Sequence, residues 1–149
     1  MLGPWLLGPV EHVGSTAVPG LVAKPVIDLM AAVADPDTVI ARTGAQLSER
    51  DWSHVPPHLD NRPFRRFFAK VTPDGQHRLA HLHLMFSGAE RWAEQIRFRD
   101  ALRADPGLRD EYAAVKTRLA GAHADDRERY TGEKAVFVLR VLRELGSGG

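Results

Sequence analysis

Cysteine is missing from the whole chain. That rules out disulfides, thiolate metal sites and cysteine nucleophiles, and a cysteine-free chain is expected in the cytoplasm. Charge of one sign is not in excess either: 20 Lys and Arg stand against 19 Asp and Glu, a formal net charge of +1. Bulk adhesion to nucleic acid is therefore not expected. No run approaches the roughly 20 apolar residues of a membrane span, so a membrane partner is not expected. The apolar start, Met1 to Val10, lacks a basic leader and is broken by Pro4 and Pro9, unlike a signal peptide. Neither a Gly-x-Ser-x-Gly elbow nor the Gly-Lys-Ser/Thr ending of a P-loop occurs, which excludes those hydrolase and ATPase designs.

What is present, 149 residues at 44% hydrophobic and 26% charged, is one ordinary globular domain's worth. A single domain over residues 1–146 with a flexible tail at 147–149 is expected. The chemistry concentrates in residues 12–30, from His12 to Met30. Gly14 and Gly20 open backbone conformations closed to residues with a Cβ and admit close approach of a ligand. Ser15 and Thr16 add hydroxyls and N–H groups of the kind that cradle phosphate. The run Pro25 to Val33 then reads as a buried strand carrying one acid, Asp28. A buried carboxylate is costly unless it is paired or holds a metal. An anion-friendly turn entering a strand with a lone acid points to a nucleotide and a divalent cation, although pairing with Lys24 or backbone N–H groups would also satisfy Asp28.

Asp35-Pro36-Asp37 starts a helix over 37–49. Residues 52–63 read as an irregular loop after a short strand. Phe64 to Val71 and Arg78 to Phe86 form strands joined through Thr72-Pro73-Asp74-Gly75, a hairpin cue. Ser87-Gly88-Ala89-Glu90 has capping-box spacing and opens a helix, Asp105-Pro106 opens a second to about Gly121, and a third covers about 126–145. The architecture expected is α+β, a small mixed or antiparallel sheet packed with helices and ending in a helical part.

His-Val-Gly-Ser-Thr-x-Val-Pro-Gly-Leu followed by Lys-Pro-x-Ile-Asp (His12 to Asp28) resembles the signature of the GrpB family, a branch of the nucleotidyltransferase superfamily. The resemblance continues through His81-Leu82-His83-Leu84, Trp92, Phe98 to Arg103, Tyr112 with Lys116, and Tyr130-Thr131 with Lys134. Members of that family carry an additional helix ahead of the signature, so a compact or shortened start is expected. The resemblance implies a nucleotidyltransferase-like fold, an NTP as substrate and a divalent metal, Mg²⁺ or Mn²⁺, with Zn²⁺ as a further option. In that superfamily paired carboxylates two apart on a strand hold the metals. Here Asp28 occupies the first position and Met30 stands where the second acid belongs.

His81 and His83 alternate on one strand face, where the superfamily's third carboxylate sits. Imidazole suits Mn²⁺ or Zn²⁺ better than Mg²⁺, so Asp28, His81 and His83 are candidate metal ligands. His83 is alternatively a general base or phosphate donor, and a plain hydrogen-bonding role for both histidines is equally open. Gly14, Ser15, Thr16 and Lys24 are candidate phosphate contacts, joined through the resemblance by Arg99, Lys116, Tyr130 and Lys134. Arg65 and Arg66 complete the basic set, and Arg103 is expected to pair within its own helix. The aromatic residues Trp92, Phe98 and Tyr112 are expected to pack helices. The expected partner is a phosphorylated or carboxylated small molecule. Two functional readings result: an enzyme that transfers a nucleotidyl group to a small acceptor, with Asp28 and His83 catalytic, or an inactive module on the same fold that binds an anionic ligand.

Overall fold

The structure, a computed structural model, describes residues 2–147 apart from Val22 and Ala124. In chain order the elements are β1 (Glu11–Val13), β2 (Ile27–Val33), α1 (Pro36–Ser48), β3 (Trp52–Val55), α2 (Pro57–Asp60), β4 (Arg65–Val71), β5 (Arg78–Phe86), α3 (Glu90–Ala104), α4 (Pro106–Ala122) and α5 (Arg127–Ser147). The strands make one mixed sheet in the order β1-β2-β5-β4-β3. Only the β2–β5 pair is parallel. This is the expected α+β architecture.

Period-2 alternation divides the sheet's two faces. Ala31, Val33, Phe68, Leu82 and Leu84 point to one side and close against Val39 and Leu47 of α1. Asp35 caps that helix by accepting from the Asp37 N–H at 3.1 Å, and Pro36 occupies its first turn, where no backbone donor is needed. Asp28, Met30, His81, His83 and Met85 point to the other side. The helical part covers only a portion of that second face, through Trp92 and Ile96 of α3 against Met30 and Met85. Helices α3, α4 and α5 close on one another around Phe98, Tyr112 and Phe137, with Tyr112 and Phe137 stacked at 5.4 Å.

Some boundaries differ from the sequence reading. The Ser87 capping box does not form. Ser87 N–H still donates to Val33 O at 3.0 Å and Gly88 takes φ +77°, so α3 starts after Ala89 with no side-chain cap. The loop expected at 52–63 holds β3 and the single-turn α2. Helix α5 runs to Ser147, the first residue of the expected tail, and Gly148 and Gly149 lie outside the described residues. No described helix is long and apolar enough to cross a membrane.

Candidate functional site

Register assembles the site. Strand β1 pairs antiparallel with β2, placing Val13 opposite Asp28, so the chain leaves β1 at Gly14 directly beside the carboxylate. Gly14 has φ +75° and ψ −174°, a region open essentially to glycine. A Cβ there would stand 2.7 Å from Asp28 Oδ2. On the other side of β2, the parallel register sets Asp28 opposite His81 and Met30 opposite His83. Both rings reach one carboxylate oxygen: His81 Nδ1 lies 3.1 Å and His83 Nε2 3.3 Å from Asp28 Oδ1.

Arginines determine what those rings do. Arg65 Nη1 donates to His83 Nδ1, and Arg78 Nη1 lies 3.3 Å from His81 Nε2. A guanidinium only donates, so the nitrogens facing it are acceptors. The opposite nitrogens therefore carry hydrogen and donate to Asp28. Arg65 is itself held by Asp60 through Nε–Oδ2 at 3.0 Å and Nη2–Oδ1 at 2.6 Å. A hydrogen-bonded chain thus runs Asp60, Arg65, His83, Asp28. Burial pushes the Asp28 carboxyl up, but the two imidazole hydrogen bonds and their charge outweigh it and hold it below the usual carboxylate range. Burial drives His83 down, against the pull of Asp28, so the ring is neutral at pH 7.

This decides how the expected metal ligands could act. Asp28, His81 and His83 come together, but as a hydrogen-bonded set in which the near ring nitrogens present N–H rather than lone pairs. Among the described residues, no group of three His, Asp or Glu side chains is arranged to hold a metal ion. Of the donors present, the Asp28 carboxylate is the kind of oxygen ligand that Mg²⁺ would take. The set does not fit a histidine-ligated Mn²⁺ or Zn²⁺ in this arrangement.

The expected phosphate contacts meet on the same side of Asp28. Gly14, Ser15, Thr16, Lys24, Lys116, Tyr130 and Lys134 all line a cavity of about 550 Å³ that also reaches Asp28 and His81. Ser15 opens a short 3-10 turn, Ser15–Ala17. Lys116 Nζ donates to Ser15 Oγ, and Thr16 Oγ1 lies 2.8 Å from His12 Nε2. Lys24 comes from the loop before β2, Lys116 from α4 and Lys134 from α5, so three separate segments deliver cations to one space. The consequence is visible at Lys116, which burial first, then Lys134 and Lys24, bring down to about 8 despite Asp28.

Arg99 lies apart from Lys24 and Lys116 but lines a neighbouring cavity with Gly14 and Lys134. Its guanidinium is engaged by Glu11 at 2.7 Å and Asp100 at 2.9 Å and reaches the His12 carbonyl at 3.2 Å. Arg103, expected to pair within its helix, instead donates to the Ala17 carbonyl at 2.8 Å, and Arg109 donates to Pro19 O at 2.8 Å. Helical arginines thus pin the turn from outside because its carbonyls lack strand partners and face α3 and α4. Tyr112 packs helices as expected, and burial raises its hydroxyl above the ordinary phenol range, with Ser15 pulling the other way. The sequence reading did not assign Asp60 or Arg78 a role, and it placed Arg65 only among the basic residues. Alternation in Arg65-Arg66-Phe67 gave the one available signal, since it puts Arg65 on the face of Phe67, which carries His81 and His83.

The family model described as GrpB protein matches residues 2–144. A glutamate-rich protein GrpB from Alkalihalophilus pseudofirmus is 33% identical over 138 residues, covering 91% of this chain and 78% of the relative. A UPF0157 protein from Pseudomonas aeruginosa is 39% identical, covering 89% of this chain, which spans only 53% of that relative's length. Among solved structures, GrpB from Enterococcus faecalis superposes with a TM-score of 0.79 at 29% identity, over 96% of this chain and 82% of the other. The RNA terminal uridylyl transferase Cid1 superposes with a TM-score of 0.50 at 15% identity, over 76% of this chain and 33% of the other, a likeness of fold alone. The glycine turn against Asp28, the histidine strand and the lysine-bearing helices therefore stand on a nucleotidyltransferase-like fold, and the chain belongs to the GrpB family.

Proposed function

We propose that the chain binds the phosphate groups of a nucleoside triphosphate, or of another phosphorylated small molecule, in the cavity between the Gly14–Thr16 turn and helices α4 and α5. The observation that carries this is the convergence of Lys24, Lys116 and Lys134 on one space. Like charges gathered there oppose one another, as the lowering of Lys116 to about 8 expresses. A polyanion relieves that repulsion, and lysines supply it with mobile point charges. Ser15 and Thr16 add hydroxyl donors on the same wall.

The test is calorimetric titration of ATP, GTP, CTP and UTP, with and without Mg²⁺, into the wild type and into Lys116→Met and Ser15→Ala. Removing one charge-assisted contact costs about 1.5–3 kcal/mol, so Lys116→Met is expected to weaken binding roughly tenfold or more. No binding by the wild type to any of these nucleotides, or equal affinity in Lys116→Met, would refute the reading for nucleotides.

A second reading, nucleotidyl transfer to a small-molecule acceptor, is favoured by one observation: Asp28 is kept ionised beside the cavity by two imidazole donors. In this reading Asp28 would hold a divalent ion together with the ligand's phosphates, and the ion would neutralise charge developing on the phosphoryl oxygens. Lys24, Lys116 and Lys134 would orient the phosphates, while the neutral His83 would hold Asp28 in place. Met30 supplies no second carboxylate. Transfer predicts turnover that Asp28→Asn abolishes while nucleotide binding persists; a wild type that binds but never turns over leaves the binding module as the function.

A further inference from the structure

Beyond Asp28 the same sheet face opens into a second cavity of about 180 Å³, which shares Gly14, Asp28 and Lys134 with the first. Met30 and Met85 floor it, and Arg62, Phe64 and Arg91 wall it. Phe64 lies under two guanidinium groups, with Arg65 Cζ 6.0 Å and Arg91 Cζ 5.5 Å from the ring centroid. Arg65 is already engaged by Asp60 and His83. Arg91 differs: its Nε is buried and has no hydrogen-bond partner, and its Nη1 stands 3.6 Å from Glu94, beyond hydrogen-bond length. Arg62, its side chain 44% exposed, donates from Nη1 to the Asp60 carbonyl at 3.1 Å, with Asp60 Oδ1 at 3.8 Å.

A buried guanidinium N–H without an acceptor costs about 1–3 kcal/mol, and native structures satisfy such groups with water or ligand. We infer that this cavity is a subsite for the carboxylate of a small-molecule ligand, taken by Arg91 and Arg62 with the Gln95 amide as a further donor. Arg91 Nε itself is enclosed, so a carboxylate in the cavity would be met by the Nη groups of the two arginines. Phe64, Met30 and Met85 suit the carbon skeleton behind it. The inference goes beyond the phosphate reading: Arg62 and Arg91 line this cavity and not the one that holds Lys24 and Lys116, while Lys134 lines both. Were both occupied, Asp28 would lie between the two ligands, and the carboxylate-bearing molecule would stand where an acceptor belongs.

The test follows the arginine Nε–Hε and glutamine side-chain NMR signals of the ¹⁵N-labelled protein during titration with malonate, and separately with inorganic phosphate. Malonate is expected to shift the Arg91 Nε–Hε signal saturably. Arg91→Met is expected to weaken malonate roughly tenfold, and Arg62→Gln to weaken it in the same direction, both variants keeping the wild-type melting temperature. Lys116→Met should leave malonate affinity unchanged while weakening phosphate, which separates this subsite from the lysine cavity. Unchanged malonate affinity in Arg91→Met, absence of a saturable shift at Arg91, or tighter binding of phosphate than malonate at Arg91 would each overturn the inference.

Discussion

Replacing Gly14 by alanine tests the centre of the site in one substitution. The backbone at φ +75° and ψ −174° lies in a region that costs a non-glycine residue about 1–3 kcal/mol. The added methyl would also sit 2.7 Å from Asp28 Oδ2 and 3.3 Å from Asp28 Cβ and Cγ. Either the turn or the carboxylate must shift, and the carboxylate is tied to His81 and His83 at 3.1 and 3.3 Å. Weakening those charge-assisted bonds brings the total to about 2–4 kcal/mol. For a chain of this length that corresponds to a fall in melting temperature of roughly 5–15 °C. Thermal unfolding by circular dichroism measures it, and ¹⁵N NMR of the imidazole rings reports whether the two histidines have lost their common acceptor. Gly44→Ala is the control. Gly44 lies within α1, where a Cβ meets only Ile40 Cγ2 at 3.8 Å, so the change is expected to stabilise by up to about 1 kcal/mol. A Gly14→Ala variant that melts with the wild type and keeps its imidazole signals would refute the geometry on which the site rests.

Further perturbations read the electrostatics and the packing. Lys116, lowered to about 8 from 10.5, is less protonated when folded than when unfolded between those values. Stability is therefore expected to rise with pH across that window, and anion affinity to fall by about tenfold for each unit that ligand binding restores to its pKa; calorimetry in buffers of different ionisation enthalpy should find proton uptake on binding near pH 9, and none would refute the assignment. Asp60→Ala would leave Arg65, only 9% exposed, without its bidentate partner, at a cost of about 3–5 kcal/mol in chemical denaturation. Leu84→Ala, at a position with 0% exposure, should cost about 2–5 kcal/mol in the same assay without changing nucleotide affinity.

Local patterning sufficed for most of the fold. The apolar run into Val33, the Asp-Gly hairpin and the proline helix starts each depend on a few neighbouring residues, and α1, β4, β5 and α4 stand close to where those cues put them. The start of α3 was misread because Ser87, in sequence a fitting cap, is still bound to Val33 across the sheet. Strand β1 was not legible, since three residues owe their strand state to β2 alone. The same divide runs through the site. Gly14, Ser15, Lys24, Asp28 and Lys116 could be singled out as chemically suited to an anion, and period-2 alternation already placed His81 and His83 on one face. Nothing local says that Arg99 meets Glu11, that Arg65 meets His83, or that Arg91 Nε is left without an acceptor, because each depends on how distant segments pack.

Sequence alone determined the family resemblance, the elements and the residue types able to meet phosphate, for these follow from spacing and side-chain chemistry. The tertiary structure decided protonation and partnership. Parallel register between β2 and β5 aims two imidazoles at one carboxylate oxygen, and arginines from β4 and β5 decide which ring nitrogens carry hydrogen. Helix packing directs lysines from α4 and α5 towards the glycine turn while Arg99 is held by Glu11 and Asp100. Hydrogen bonds and ion pairs act over a few ångströms, so which donors remain available to a ligand is settled only when remote segments come within that reach.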